Sequence, residues 1–260
     1  MKGLSFLIVI SLCMAFASSS LLAQDEEYKA LKTKEPPTID GDLGDKVWQW
    51  AEGIYLDEWE ELGGTSKGPE DISLTFYVVW DDDNLYFAAD VADDEHLHEN
   101  TGDSIWNGDS IQIAIDPTGE RELAGFDGNS YEYNFGIDVN DKVIMSRLFG
   151  HPKSAGDSSE LMIVRDDDKE RTYYELRIPA EDIAPANFEP DGKIGFAMIC
   201  NDGDKAHPGQ TGWVGWGSQA IVFGKDNTQM NLLIFSGEMV AVSPKLKLAD
   251  TWGHIKAVDF

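Results

Sequence analysis

Tryptophans set among glycines and amides are the residues of this 260-residue chain with the clearest chemical signal. Trp106 lies in the stretch Ile-Trp-Asn-Gly-Asp at 105–109, and Trp213 and Trp216 lie in the glycine-rich stretch 212–217. An indole packs well on the apolar face of a sugar ring, and amides or carboxylates beside it bond the sugar hydroxyls. These stretches therefore predict loops that bind carbohydrate. The alternative is that the tryptophans anchor the loops in the core.

Clustered aspartates in predicted turns are the second signal. Acidic runs occupy 81–83, 93–95 and 166–168, and acidic pairs flank Gly41 and Gly203. Ca²⁺ takes about six to eight hard oxygen ligands, and a bound divalent ion relieves the repulsion between adjacent carboxylates. We expect at least one structural Ca²⁺, with the candidate ligands Asp93, Asp94, Asp109 and Asp116. A solvated acidic surface is the alternative for any single cluster.

The charge balance narrows the class of partner. Asp and Glu number 48 and Lys and Arg only 20, so the formal net charge is -28. A chain this acidic is repelled by nucleic acid and by anionic lipid, whereas neutral sugars, cations and basic proteins remain possible partners. Motifs for a hydrolase nucleophile, a phosphate loop, a dinucleotide site or a zinc protease are absent from the sequence. A glycosidase with paired carboxylates stays as a weaker alternative.

The first residues predict a targeting segment rather than a folded element. Lys2 precedes an apolar run to Ala17, and small residues follow up to Ala23. This pattern is typical of a cleaved signal peptide over 1–23, and it predicts a secreted protein, extracellular or periplasmic, with no membrane insertion after cleavage. Cys200 then stands alone, so no intrachain disulfide is expected.

Two further segments flank the predicted domain at 35–240. Residues 24–34 look like a polar linker. Residues 241–260 form a tail that carries Lys245, Lys247 and Lys256. A basic tail on an acidic protein could bind an attachment partner, or it could pack on the domain as an edge strand.

The elements that must position these residues are strands. Apolar and polar residues alternate through nine segments: Ile72 to Trp80, Leu85 to Val91, Ser110 to Ile115, Ser130 to Ile137, Lys142 to Phe149, Leu161 to Arg165, Thr172 to Ile178, Lys193 to Asn201 and Met230 to Phe235. Only Gly44 to Glu52 and Ala180 to Ala184 look helical. The pattern predicts an all-β, antiparallel β-sandwich of the immunoglobulin or jelly-roll kind, with about nine to eleven strands and minimal helix.

Five motifs in order carry a resemblance. They are IDGDL at 39–43 followed by Trp48, WDDDNLYF at 80–87 with VADD at 91–94, IWNGDSIQIAIDP at 105–117, YYELRIP at 173–179, and the stretch 192–202. Over roughly residues 35–236 they resemble the family 9 carbohydrate-binding modules. The resemblance implies a β-sandwich, non-catalytic sugar binding and structural calcium.

The resemblance also implies a ligand set. Members that bind sugar hold a chain-end pyranose between two tryptophans. Trp106 matches the first of these, and Trp213 or Trp216 is the nearest candidate for the second. Gln112 stands where such members have a glutamate, and the strand 131–135 lacks their basic residue. Asn107, Gln112 and Asn134 are the expected partners of the hydroxyls. The competing expectation is a structural or adhesion module that keeps the fold without the sugar site.

Overall fold

The protein is described by a computed structural model over residues 26–61, 67–122, 125–126, 130–149, 158–222 and 224–240. The expected signal peptide at 1–23 and the tail at 241–260 lie outside these residues. None of the helices in the described part of the chain is long and apolar enough to span a membrane.

Strands dominate the described residues. The thirteen strands are β1 (Glu27–Lys32), β2 (Gly53–Leu56), β3 (Trp59–Glu61), β4 (Ile72–Trp80), β5 (Asn84–Asp93), β6 (Ser110–Asp116), β7 (Tyr131–Ile137), β8 (Val143–Phe149), β9 (Glu160–Asp166), β10 (Arg171–Pro179), β11 (Lys193–Asp204), β12 (His207–Trp216) and β13 (Asn231–Met239). The helices α1 (Lys46–Trp50) and α2 (Gln219–Val222) are short. The all-β prediction is confirmed, although the strands outnumber the expected nine to eleven.

The strands form one hydrogen-bonded path that folds into two facing layers. Its order is β8-β7-β6-β11-β13-β1-β4-β5-β10-β9, with β12 beside β11, β3 beside β12 and β2 beside β4. Aromatic rings from opposite ends of the path meet between the layers. Phe135 on β7 lies 6.2 Å from Phe87 on β5 and 6.1 Å from Tyr174 on β10, centroid to centroid, in edge-to-face contacts. Burying each such side chain contributes about 1.5–3 kcal/mol.

Alternation along β6 explains how one strand serves both the core and a site. Ile111, Ile113 and Ile115 point into the sandwich, where all three are fully buried. The intervening Gln112 and Ala114 therefore point to the outer face of the sheet, because successive side chains of a strand alternate between faces. Pairing of β6 with β7 and β11 extends this outer face over three strands.

The structure differs from expectation in the segments that alternate weakly. Residues 24–34 are not a linker throughout, because β1 pairs parallel with both β13 and β4. Tyr28 and Ala30 are the buried residues of β1, and two apolar residues in a polar stretch are too few to predict a strand. This strand also breaks the expected antiparallel order. The glycine-rich 207–216 is β12 rather than a loop, and the close approach of Trp59 explains Gly212, where a Cβ would lie 1.9 Å from the indole.

The first motif is tied to the sheet by a buried carboxylate. Glu175 on β10 accepts hydrogen bonds from the backbone N–H groups of Asp40 (3.0 Å) and Gly41 (2.7 Å) and from the Trp48 indole (2.7 Å). Gly41 has φ +83°, a region that favours glycine. The motif at 39–48 therefore covers the middle of the outer face of β10 and has a structural role.

We expect Glu175→Ala to lower the free energy of unfolding by about 2–5 kcal/mol, because two buried donors and one partly buried donor lose their acceptor. Urea unfolding followed by circular dichroism measures the change. Glu181→Ala, at an exposed position, is the matched control and should alter stability by less than about 0.5 kcal/mol. Equal midpoints for the two variants would contradict this role of Glu175.

Candidate functional site

A pocket of about 320 Å³ opens beside the outer face of β6 and β7. Its described lining residues are Trp106, Gln112, Glu132, Leu148, Gln210, Ile221, Val222 and Lys225. The loop before β6 supplies the indole, strands β6, β7, β8 and β12 supply four side chains, and α2 with the turn after it supplies the rest. The volume is near the lower end of the range of roughly 300–1,000 Å³ for small-molecule pockets.

Trp106 is the predicted tryptophan that lines this pocket. Its ring is partly exposed, and the Asn201 side-chain amide donates to its carbonyl oxygen at 3.0 Å. This bond ties the loop to β11. Trp106 therefore has the position that stacking on a ligand requires.

Trp213 and Trp216 do not have that position, which corrects the expectation that they stack on sugar. They are 0% and 3% exposed. Trp213 packs in an apolar cluster with Ile199 and Ile221, and Trp216 packs on Phe76 with the ring centroids 5.8 Å apart. Both lie in β12 and three residues apart, so they point to opposite faces of a strand rather than out of a loop.

The polar residues predicted to bind sugar hydroxyls also lie in different places. Gln112 lines the pocket. Asn107 does not, and its side-chain oxygen instead accepts from the backbone N–H of Gln210 at 2.9 Å. Asn134, paired with Gln112 across β6 and β7, is fully buried, and its amide atoms have no hydrogen-bond partner among the described residues.

A glutamate that sequence analysis missed lies at the base of the pocket. Glu132 on β7 is fully buried, and its Oε1 accepts from Lys225 Nζ at 2.6 Å and from Gln112 Nε2 at 3.0 Å. Glu132 alternates with Tyr131 and Tyr133, so its outward direction was readable from the strand pattern. The sequence pattern did not predict that this outer face is covered or that Lys225 approaches it.

The carboxylate sets the direction of a chain of amides. Because Glu132 only accepts, Gln112 turns its NH₂ toward it and leaves its oxygen to accept from Asn201 Nδ2 at 3.2 Å. The Asn201 oxygen then accepts from Gln210 Nε2 at 2.6 Å. Gln210 lines the pocket, so its remaining amide oxygen is an acceptor at the end of this chain.

The four aspartates predicted as candidate metal ligands lie in three places. Asp93 and Asp109 come together with His96, with one candidate ligand atom from each within 4.8 Å of the others. Asp93 Oδ2 lies 3.3 Å from Arg165, and Asp109 Oδ1 accepts from the Gly203 N–H at 2.7 Å. Asp109 Oδ2 accepts from the Leu97 N–H. This group lies at the base of the loop that carries Trp106.

Asp94 belongs to a second group, with Asp71 and Asp204. The Lys67 ammonium lies 3.0 Å from Asp94, 3.1 Å from Asp71 and 3.6 Å from Asp204, so a lysine supplies positive charge there. Asp116 joins neither group. Its oxygens cap the turn after β6 by accepting from Thr118 and Arg121 backbone N–H groups, which accounts for its burial.

The carboxylates of the two groups crowd one another, and Asp202 lies within reach of both. Burial, followed by the charge of Asp93, raises the pKa of Asp109 well above its ordinary value. Burial, followed by neighbouring carboxylates, raises the pKa of Asp202 to about 8. Burial also raises the pKa of Asp204. The folded chain therefore holds more carboxylates here than it can ionise freely at neutral pH.

Comparisons with known proteins agree with the β-sandwich. The sequence profile of the family described as "Carbohydrate family 9 binding domain-like" matches residues 39–230. A family 9 carbohydrate-binding module from Caldicellulosiruptor kristjanssonii, solved with glucose, has a TM-score of 0.61 at 17% identity and covers 84% of this chain and 100% of its own. Its structure with cellotriose has a TM-score of 0.59 at the same identity and coverages.

A third structure, a putative carbohydrate-binding protein from Bacteroides uniformis, has a TM-score of 0.54 at 11% identity and covers 82% of this chain and 100% of its own. A search of curated proteins finds no match. At these identities the structural likeness concerns the fold.

In chelator, we expect the free energy of unfolding to fall as pH rises from about 5 to about 8. The unfolded chain releases the Asp202 proton near 3.8, whereas the folded chain keeps it up to a pKa of about 8, so the folded state binds more protons in this window. One such group contributes a slope of at most about 1.4 kcal/mol per pH unit. Asp202→Asn should flatten the slope, and the exposed control Asp168→Asn should keep it. Urea unfolding at several pH values measures both slopes, and an unchanged slope in Asp202→Asn would contradict the prediction.

Proposed function

The chain belongs to the family 9 carbohydrate-binding domains, and from this membership we propose that it is a secreted, non-catalytic protein that binds carbohydrate by stacking a sugar ring on Trp106. The observation that carries the proposal is the partly exposed Trp106 indole in the wall of a pocket whose base is made of amides and a carboxylate. Apolar stacking and directional hydrogen bonds together are what sugar recognition requires.

The pocket walls support a single stacking face. Trp106 forms the aromatic wall, while Leu148, Ile221 and Val222 supply aliphatic contacts. A pinch between two tryptophans is not part of this proposal, because Trp213 and Trp216 lie in the core. Gln112 and Gln210 offer amide groups to hydroxyls, and the volume of 320 Å³ suits a chain end or a short oligosaccharide.

The number of carboxylates among the described lining residues favours binding over cleavage. Hydrolysis of a glycosidic bond uses two carboxyl groups that face each other about 5–10 Å apart. Among the described lining residues, Glu132 alone carries a carboxylate, and it is paired with Lys225. A structural module of the same fold, without a sugar site, is the alternative that the experiment below distinguishes.

We also propose a structural Ca²⁺ held by Asp93 and Asp109, with Asp202 beside them. Carboxylate oxygens are hard ligands that suit Ca²⁺. Burial, followed by neighbouring carboxylates, raises the pKa values of Asp109 and Asp202, so a bound cation would offset the cost of ionising them. The imidazole of His96 is a ligand that Zn²⁺ accepts more readily, so Zn²⁺ is the competing ion. Asp116 is not included, because its oxygens cap a turn.

We expect Trp106→Ala to weaken sugar binding by at least about tenfold while the melting temperature changes little, because a partly exposed indole contributes stacking rather than core packing. Calorimetry with glucose, cellotriose and a panel of soluble plant, algal and microbial glycans measures the affinity. Tyr55→Ala, which removes an aromatic ring that is 57% exposed away from the pocket, is the matched control and should bind normally.

Two results would count against this function. Equal affinities for Trp106→Ala and the unmodified protein would place the sugar elsewhere. No binding to any glycan by the folded protein would favour the structural module.

We expect Ca²⁺ at about 100 times its dissociation constant to raise the melting temperature by about 5 °C or more, since binding to the folded state alone adds about 2.7 kcal/mol. Asp93→Asn with Asp109→Asn should abolish the shift, and Asp116→Asn should retain it. Differential scanning calorimetry, with and without chelator, measures these shifts. A larger shift with Zn²⁺ than with Ca²⁺ would assign the site to Zn²⁺, and no shift with either ion would refute the site.

A further inference from the structure

An apolar cluster lies outside the sandwich core, on the outer face of β4 and β5. Val79 and Tyr86 form part of its base, because successive side chains of a strand alternate and the residues next to these two point into the core. The short helix α1 covers this base with Val47 and Trp48. We call this cluster the α1 patch.

The α1 patch is incompletely covered. Helix α1 has only five residues, and apolar side chains around it stay partly exposed. They are Leu31, Ile39, Leu43, Trp50, Ala51 and Tyr77. A group of exposed apolar side chains on a soluble protein marks a surface on which another segment or a partner packs.

The chain leaves the described part of the structure inside this patch. Val240 is the last described residue, its side chain is buried in the α1 patch, and its N–H donates to the Lys32 carbonyl oxygen at 2.8 Å. Residues 241–260 therefore begin at the patch. Six residues of extended chain span about 20 Å, whereas Tyr77 and Val79 mark only about 7 Å along β4, so Leu246 lies within reach of the patch.

The first part of the tail has the composition that this surface requires. Lysine and leucine alternate at 245–248, so in an extended chain the two leucines share one face. Residues 241–249 contain no acidic residue, in a chain whose net charge is -28. Exposed carboxylates border the patch at Asp40, Asp42 and Glu52. Lysine side chains are long enough to reach such carboxylates while the leucines face the patch.

We propose that residues 245–248 pack on the α1 patch of the same chain, with Leu246 and Leu248 against its partly exposed apolar residues. Lys245 and Lys247 then lie beside the carboxylates at its rim. Attachment to Val240 favours this occupant, because a short tether gives the segment an effective concentration in the millimolar range. A second copy of the chain is disfavoured, since two chains of charge -28 repel each other. The α1 patch lies on the layer opposite the Trp106 pocket, so the inference does not rest on the proposed function.

A double-mutant cycle between patch and tail tests the proposal. Leu43→Ser changes the patch, Leu246→Ser with Leu248→Ser changes the tail, and calorimetry gives the melting temperature of each variant and of their combination. Because each change removes the same contact, the combined loss should be smaller than the sum of the separate losses by about 2 °C or more. In the control cycle Val139→Ser replaces Leu43→Ser, at a valine that is 52% exposed between β7 and β8, and the losses should add.

Hydrogen exchange followed by mass spectrometry tests which part of the tail is held. The amides of residues 245–249 should exchange at least about tenfold more slowly in the unmodified protein than in the tail variant, because packing protects the backbone. Ile255→Ser with Val258→Ser, farther along the tail, is the matched control and should keep this protection. The tail variants leave residues 26–240 unchanged, so this measurement decides the question even if Leu43→Ser fails to fold.

Charge reversal tests the contribution of the lysines. Lys245→Glu with Lys247→Glu should lower the melting temperature at low ionic strength, because the segment then meets carboxylates of like charge. The loss should largely disappear at about 1 M salt, where the screening length is about 3 Å. Lys256→Glu is the control and should have less effect.

Three results would overturn the proposal. Additive losses in both cycles would mean that the tail leucines do not contact the patch. Equal exchange of residues 245–249 in the unmodified protein and the tail variant would mean that this segment is not held. Protection that rises with protein concentration, together with a larger sedimentation coefficient, would assign the patch to a second copy of the chain.

Discussion

One constraint orders the polar side chains of this protein's pocket: two of their partners can only accept hydrogen bonds. The Glu132 carboxylate turns the NH₂ of Gln112 toward itself, and the Trp106 carbonyl does the same to the NH₂ of Asn201, so the amides of Gln112, Asn201 and Gln210 bond one another in one direction. Burial makes each of these bonds stronger and makes any unpaired group costly, so the chain has one favourable direction. The end of the chain presents an acceptor in the pocket, and its middle holds the backbone of Trp106. Loss of the Glu132 charge would remove the acceptor of the Gln112 NH₂ group.

The pocket is built largely on the strands that also make the core. Ile111 and Ile113 pack between the layers, and Gln112 between them faces the pocket. Groups attached to strands are held more precisely than groups on loops, and the pocket residue that lies on a loop, Trp106, is fastened to β11 by Asn201. The ion pair of Glu132 and Lys225 has no net charge, whereas the chain as a whole carries a net charge of -28 and repels anions.

The acidic groups and the pocket share a segment of chain. Asp109 follows Trp106 in the same loop, and its carboxylate accepts from the N–H groups of Leu97 and Gly203. Neutralising this group, by protons or by a cation, therefore acts on the loop that carries the indole. Asp94 and Asp116 are bound into other contacts, one with Lys67 and one within a turn. Although aspartates are abundant in this chain, few places are thus left where a cation would neutralise carboxylates that lack other partners.

The sequence by itself determined the sandwich, the family resemblance and the position of Trp106, because alternation along a strand and a tryptophan in a polar turn are local properties. The strands β1 and β12 were missed because apolar and polar residues alternate only weakly along them. Without β12, the burial of Trp213 and Trp216 could not be predicted either. Only the tertiary structure brought Lys225 to Glu132 and divided the aspartates, since these residues lie far apart along the chain. Strand order and register place such residues together, and a two-residue period specifies which face a side chain takes but not what lies opposite it.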